Sequence, residues 1–241
     1  MEQVNRQIFL TYNKRVSSFS VCHKKKNSFF GILAIFCFIL FNSCATKPPH
    51  EAGNFRESDL VELIKLDSSF KLDIRYAASN NIVGRPVYKE ARAFLQRPAA
   101  EALVKVNKEF KQMGYRLLIF DGYRPWSVTK LFWDITPKES KKFVANPKDG
   151  SRHNRGCAVD LSLYDMSAGK EVRMPGEYDE QTERSYPYYK GGTEEQRKMR
   201  DLLRSKMEAN GFTVYEYEWW HFDYNDWRSY RIQNIQFSEI K

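Results

Sequence analysis

Four histidines occur in the 241-residue chain, and only His153 and His221 fall in its globular part; His23 and His50 lie in the N-terminal quarter. Each has a carboxylate close by in sequence: Asp160 seven residues after His153, and Glu218 three residues before His221. Two imidazoles and one carboxylate make a three-ligand set for Zn²⁺ with the fourth position left open, as a catalytic site requires. Glu218 is then a spare carboxylate able to take a proton from water at that position. In 151–160 (SRHNRGCAVD) Gly156 can turn a loop carrying His153 into a strand carrying Asp160. Glu218-Trp219-Trp220-His221 is harder, because residues three apart on a regular strand face opposite sides. Both reach one ion only if the strand bulges or ends there. The competing reading makes both histidines hydrogen-bonded core residues.

A third segment, Asp121-Gly122-Tyr123-Arg124-Pro125, follows the apolar run 115–120 (YRLLIF). A strand end opening into a Gly-Pro turn presents a side chain rigidly. Arg124 can polarise a carbonyl and hold the oxyanion that develops, with Asp121 fixing its direction. A purely structural Arg–Asp pair is the alternative.

These residues need a scaffold. Leu103, Val106, Phe110 and Met113 form one stripe of a helix over 98–113, stopped by Gly114. Short strands are expected at 61–66 and 71–76, a buried strand at 115–120 and an alternating strand at 158–163. Ser127 is expected to cap a helix carrying Val128, Leu131, Phe132 and Ile135, with a second short helix after Pro137. Thr193 and Gln196 make a capping-box pattern before a helix bearing Met199, Leu202, Leu203 and Met207. Residues 212–224 read as strand. Helices and strands mix without a βαβ repeat, so the expected class is α+β, a central antiparallel sheet flanked by helices in one domain over 58–241.

The chain carries 39 Lys and Arg against 30 Asp and Glu. Residues 1–43 hold six of the basic residues and one acid, which leaves 33 against 29 in the remainder. That near balance gives no reason to expect a nucleic-acid partner. Lys24–Lys26 followed by the uncharged run 29–41 reads as a signal peptide, too short to span a bilayer comfortably. Ser43-Cys44-Ala45 at its end resembles a bacterial lipoprotein cleavage site, with Cys44 as the lipidated residue. An uncleaved signal anchor is the alternative. Either way an exported, membrane-anchored domain is expected, periplasmic or on the cell surface. Residues 44–57, with two prolines and a glycine, read as a tether. Cys157 is the one thiol left in the domain, so no internal disulfide is expected.

Together 151–160, EWWH at 218–221 and DGYRP at 121–125 resemble the D-alanyl-D-alanine dipeptidase family, the VanX-type zinc D,D-peptidases. Residues 73–77 (DIRYA) resemble its N-terminal signature, and 174–179 (MPGEYD) its dipeptidase branch. The resemblance implies Zn²⁺ on His153, Asp160 and His221, Glu218 as general base and Arg124 as stabiliser of the tetrahedral intermediate. It implies that Asp179 holds the ammonium of a D-Ala-D-Ala substrate, and that Ser151 and Tyr76 touch the substrate. Ile82 stands where the family often has an aromatic. The export leader departs from the cytoplasmic members that confer glycopeptide resistance, and points to turnover of wall-derived dipeptide. A D,D- or L,D-carboxypeptidase acting on stem peptides, and a non-catalytic wall-peptide-binding domain, are the other readings.

Overall fold

The computed structural model describes residues 47–241; the expected signal peptide, Cys44 and the first residues of the expected tether lie outside the described residues. Six strands form the main sheet: β2 (Lys71–Leu72), β4 (Tyr115–Asp121), β5 (Ala158–Asp165), β6 (Lys170–Glu171), β7 (Phe212–Tyr215) and β8 (Glu218–Tyr224). Their order is β2-β4-β5-β8-β7, with β6 paired to β5. All pairs are antiparallel except β2 with β4. A separate two-stranded ribbon joins β1 (Leu60–Glu62) to β3 (Phe94–Gln96). The fold is α+β, with the sheet flanked by helices α1 (Arg97–Gln112), α2 (Trp126–Ile135) and α3 (Glu194–Ala209).

Strand alternation sorts the sheet into two faces. Val159, Leu161 and Leu163 of β5 lie opposite Phe222, Ile119 and Leu117. All six are buried in one core with Ala99, Leu103, Val106 and Phe110 of α1 and Met199, Leu203 and Met207 of α3. Asn107 of α1 is locked to β4 by accepting from the Leu117 N–H. Asp160 therefore faces away from this core.

Several boundaries move from the sequence reading. The strand expected at 61–66 ends at Glu62 and gives way to one helical turn, Leu63–Leu66. The strand expected at 71–76 keeps two residues before a 3₁₀ turn at Arg75–Ala77. Helix α2 begins at Trp126, with Pro125 rather than Ser127 at its N-cap. The Ser127 N–H is capped from far along the chain by Asn234 Oδ1 at 2.8 Å, which local sequence cannot reveal. The α3 capping box forms between Thr193 and Gln196 as expected. Residues 212–224 are a hairpin, turning at 216–217.

The stretch expected as a tether is fastened to the domain from Glu51 onward. Glu51 pairs with Arg155 and accepts from the Ile232 N–H at 2.7 Å. Arg231 donates to the Glu51 carbonyl, and Arg56 pairs with Asp226. Arg155 is buried and also donates to the Tyr230 carbonyl, so its charge needs Glu51 as a partner. Glu51→Ala should cost about 1–3 kcal/mol, measured as a lower urea midpoint with an unchanged slope.

Candidate active site

Two register breaks assemble the site. Ile119 pairs with Leu161, but Asp121 pairs with Asp160, so Phe120 is an extra residue in β4. Without that bulge Phe120 would stand opposite Asp160; with it, a carboxylate does. Asp160 in turn pairs with His221 of β8. Asp121, Asp160 and His221 thus form one row across three strands. On β8, Val214 pairs with Phe222 while Tyr215 pairs with Glu218. A regular ladder would set Tyr215 opposite His221. The break brings Glu218 round to within 3.7 Å of His221 Nδ1, the bulge that the three-residue spacing required.

His153 arrives from a 3₁₀ turn, His153–Arg155, closed by Gly156 in the left-handed conformation at φ 71°. The Gly156 N–H donates to the His153 carbonyl. The left-handed φ favours glycine here, and a Cβ would also press on the Leu60 side chain at 2.5 Å and the Gln96 backbone at 3.3 Å.

His153 Nε2, Asp160 Oδ1 and His221 Nδ1 lie 3.0–3.2 Å from one another. The opposite edge of each ring fixes its proton. His153 Nδ1 sits 2.7 Å from the Gly122 carbonyl, which can only accept. His221 Nε2 sits 3.0 Å from an Asp223 carboxylate oxygen. Both inner nitrogens therefore turn bare lone pairs toward a carboxylate oxygen, an arrangement that demands a cation. Ligands about 2.0–2.1 Å from a tetrahedral ion stand about 3.3 Å apart, close to the observed spacing. The donor set fits a metal ion. Burial pushes the Asp160 carboxyl up, but the two histidines outweigh it and hold it well below the usual carboxylate range. Burial pushes His221 down, and Asp223 and Asp160 reverse that and raise it well above the usual value. In the absence of an ion, a proton answers the same demand.

Arg124 is buried beside this row. Its Nε and Nη2 donate to Asp121 Oδ2 at 2.9 and 2.8 Å, and Nη2 lies 3.6 Å from Asp160 Oδ2. The Tyr88 hydroxyl and the Gly122 N–H both donate to Asp121 Oδ1. Asp121 is thereby saturated and aims the guanidinium.

A cavity of about 210 Å³ opens over these groups, below the ~300–1,000 Å³ of sites for drug-sized ligands. Tyr76, Ser151, Asp179, Glu218 and Trp220 line it with Arg124 and the metal-type cluster. Removal from water pushes Glu218 up to about 8, against the pull of His221. The same effect, aided by the Asp160 charge, pushes Asp179 up to about 7. Asp179 accepts from the Tyr76 hydroxyl at 3.0 Å and is the one non-glycine residue with positive φ, 60°, among the described residues. Ser151 Oγ accepts from the His153 N–H at 3.2 Å and so also braces that turn.

All eight domain residues expected at a site meet here. Sequence reasoning missed Asp223, Gly122, Tyr88 and Tyr178. The Asp223 signal was present, since period-two spacing after His221 puts it on the same strand face; the others depend on long-range pairing.

A family model described as D-ala-D-ala dipeptidase matches residues 56–240. The D-alanyl-D-alanine dipeptidase of Escherichia coli (strain K12) is 33% identical over 181 residues, covering 75% of this chain and 92% of that protein. That of Enterococcus faecalis (strain ATCC 700802 / V583) is 32% identical over 184 residues, covering 69% and 91%. Another from Enterococcus faecium is 34% identical over 175 residues, covering 64% and 85%. The chain is a peptidase belonging to the D-Ala-D-Ala dipeptidase family.

Proposed function

We propose that this enzyme hydrolyses D-alanyl-D-alanine to two D-alanines with one Zn²⁺ held by His153, Asp160 and His221. The observation that carries this reading is the placement of Asp179 in the wall of the cavity that holds the three ligands and Glu218. A carboxyl raised to about 7, and in no ion pair among the described residues, is matched by the ammonium of a free dipeptide. A chain extended at its N-terminus offers no such charge and leaves Asp179 unpaired.

When bound, Zn²⁺ would supply Lewis acidity, lowering the pKa of water and polarising the scissile carbonyl. Glu218 takes the proton of the attacking water and hands it to the leaving amine. Its raised pKa suits both tasks near neutral pH. Arg124, aimed by Asp121, holds the oxyanion as charge develops on the carbonyl oxygen. Asp179 and the Tyr76 hydroxyl fix the ammonium end, and Ser151 contacts the substrate from the His153 turn.

The physiological part of the reading rests on residues 24–44, which favour export and a lipid at Cys44, hence turnover of wall-derived dipeptide. Recovery of the protein from the cytosol without lipid would overturn it.

Three outcomes test the chemistry. Glu218→Gln should lower kcat by about 10²–10⁴-fold while zinc content, measured by atomic absorption, stays at one per chain. Asp179→Asn should raise KM for D-Ala-D-Ala on the order of 10- to 100-fold and leave cleavage of N-acetyl-D-Ala-D-Ala near zero, as in the wild type. Ready cleavage of the acetylated peptide by the wild type would identify a carboxypeptidase instead. Glu218 as base and Asp179 as ammonium partner both act ionised, so wild-type kcat/KM should fall as pH drops through about 8 and more steeply below about 7. Initial rates between pH 5 and 9 would reveal that limb.

A further inference from the structure

Behind the metal-type cluster the two carboxylates with separate tasks, Asp160 and Asp179, are bridged by two tyrosine hydroxyls. Tyr76 donates to Asp179 Oδ2 at 3.0 Å. Tyr178 has one proton and two acceptors in reach, Asp160 Oδ2 at 3.1 Å and the Tyr76 oxygen at 3.3 Å. The charged and nearer acceptor takes the proton, so the Tyr178 hydroxyl belongs to Asp160. The Tyr76 oxygen is then left to accept from an ammonium bound at Asp179.

The two oxygens of Asp160 are thereby divided. Oδ1 faces both ligand nitrogens, at 3.0 and 3.2 Å. Oδ2 faces Tyr178, and beyond it only Arg124 Nη2 at 3.6 Å. A carboxylate without the Tyr178 partner could swing and offer both oxygens to an ion, filling the open position a catalytic metal needs. The Tyr178 ring is itself held in place. It packs on Phe120 at 4.6 Å and Trp220 at 5.5 Å between centroids, and the Arg75 guanidinium lies 5.7 Å from its ring. Arg75 is fixed in turn by Asp73 and Glu171.

We propose that Tyr178 is a positioning residue for the metal, its hydroxyl holding Asp160 to one-oxygen ligation through Oδ1. This rests on the metal centre proposed above and adds a residue to it.

The test compares Tyr178→Phe with Tyr123→Phe in the full chain. Among the described residues the buried Tyr123 hydroxyl bonds only the Ile235 backbone, and it controls for loss of a structural hydroxyl. Zinc affinity would be measured by competition with a chromophoric chelator, and coordination by the visible absorption of the Co²⁺-loaded protein. Tyr178→Phe should bind Zn²⁺ about tenfold more weakly, and its cobalt bands should lose intensity as the coordination number rises. Its kcat should fall with KM for the dipeptide little changed. Tyr123→Phe should match the wild type in all three. Zinc affinity and a cobalt spectrum in Tyr178→Phe equal to the wild type would overturn the inference while leaving the metal centre standing. A wild type that binds neither ion at one per chain would overturn both.

Discussion

Charge burial is the constraint on which the site depends. Asp121, Asp160, His153, His221 and Arg124 are all nearly inaccessible to water, and each alone would be costly to bury. They are tolerable only as a set. Asp121 is neutralised by Arg124, both inner imidazole edges face one oxygen of Asp160, and the outer edges are spent on Gly122 and Asp223. What remains uncompensated is a patch of three lone pairs about 3 Å apart. These three groups converge on one point, and that point is where a cation belongs.

The sheet makes this possible by being irregular where regularity would defeat it. A perfect ladder would oppose Asp160 with Phe120 and turn Glu218 away from His221. One extra residue in β4 and a longer slip in β8 correct both. The ladder elsewhere is conventional, and its other face is filled by the apolar sides of α1 and α3. Bulged ends on a well-packed sheet give the rigidity needed to hold several side chains to tolerances that loops do not reach.

Much of this was legible in the sequence. The α1 stripe, the α3 capping box and the runs at 115–120 and 158–163 carry periodic or capping signals strong enough to survive tertiary context. The His153–Asp160–His221 cluster could be read because the domain holds only two histidines. The Glu218–His221 spacing even stated its own structural condition. What could not be read depends on pairs distant in sequence. Asn234 caps α2, Phe94 receives the Tyr123 N–H, and Glu51 fastens a stretch whose prolines and polar residues read as a free tether. Composition describes how a segment behaves alone, and Glu51 is ordered by a partner 104 positions away. Tyr178 escaped notice because an aromatic beside a functional acid looks like packing until its hydroxyl is located.

The left-handed backbone at Asp179 has a consequence for how this enzyme could change. Among residues other than glycine, that conformation is best tolerated by asparagine, aspartate and histidine. The residue proposed to meet the substrate's ammonium therefore occupies a position where the main chain itself limits substitution. Drift to glutamate, serine or a hydrophobic residue would meet a steric objection before any question of affinity arose. Of the residues one nucleotide away, asparagine, histidine and glycine suit that backbone best, and none of them keeps the carboxylate. On the role proposed for Asp179, a descendant that accepted longer peptides would do so most readily by rebuilding the loop, and the preference for a free amino terminus would be written into the path of the chain.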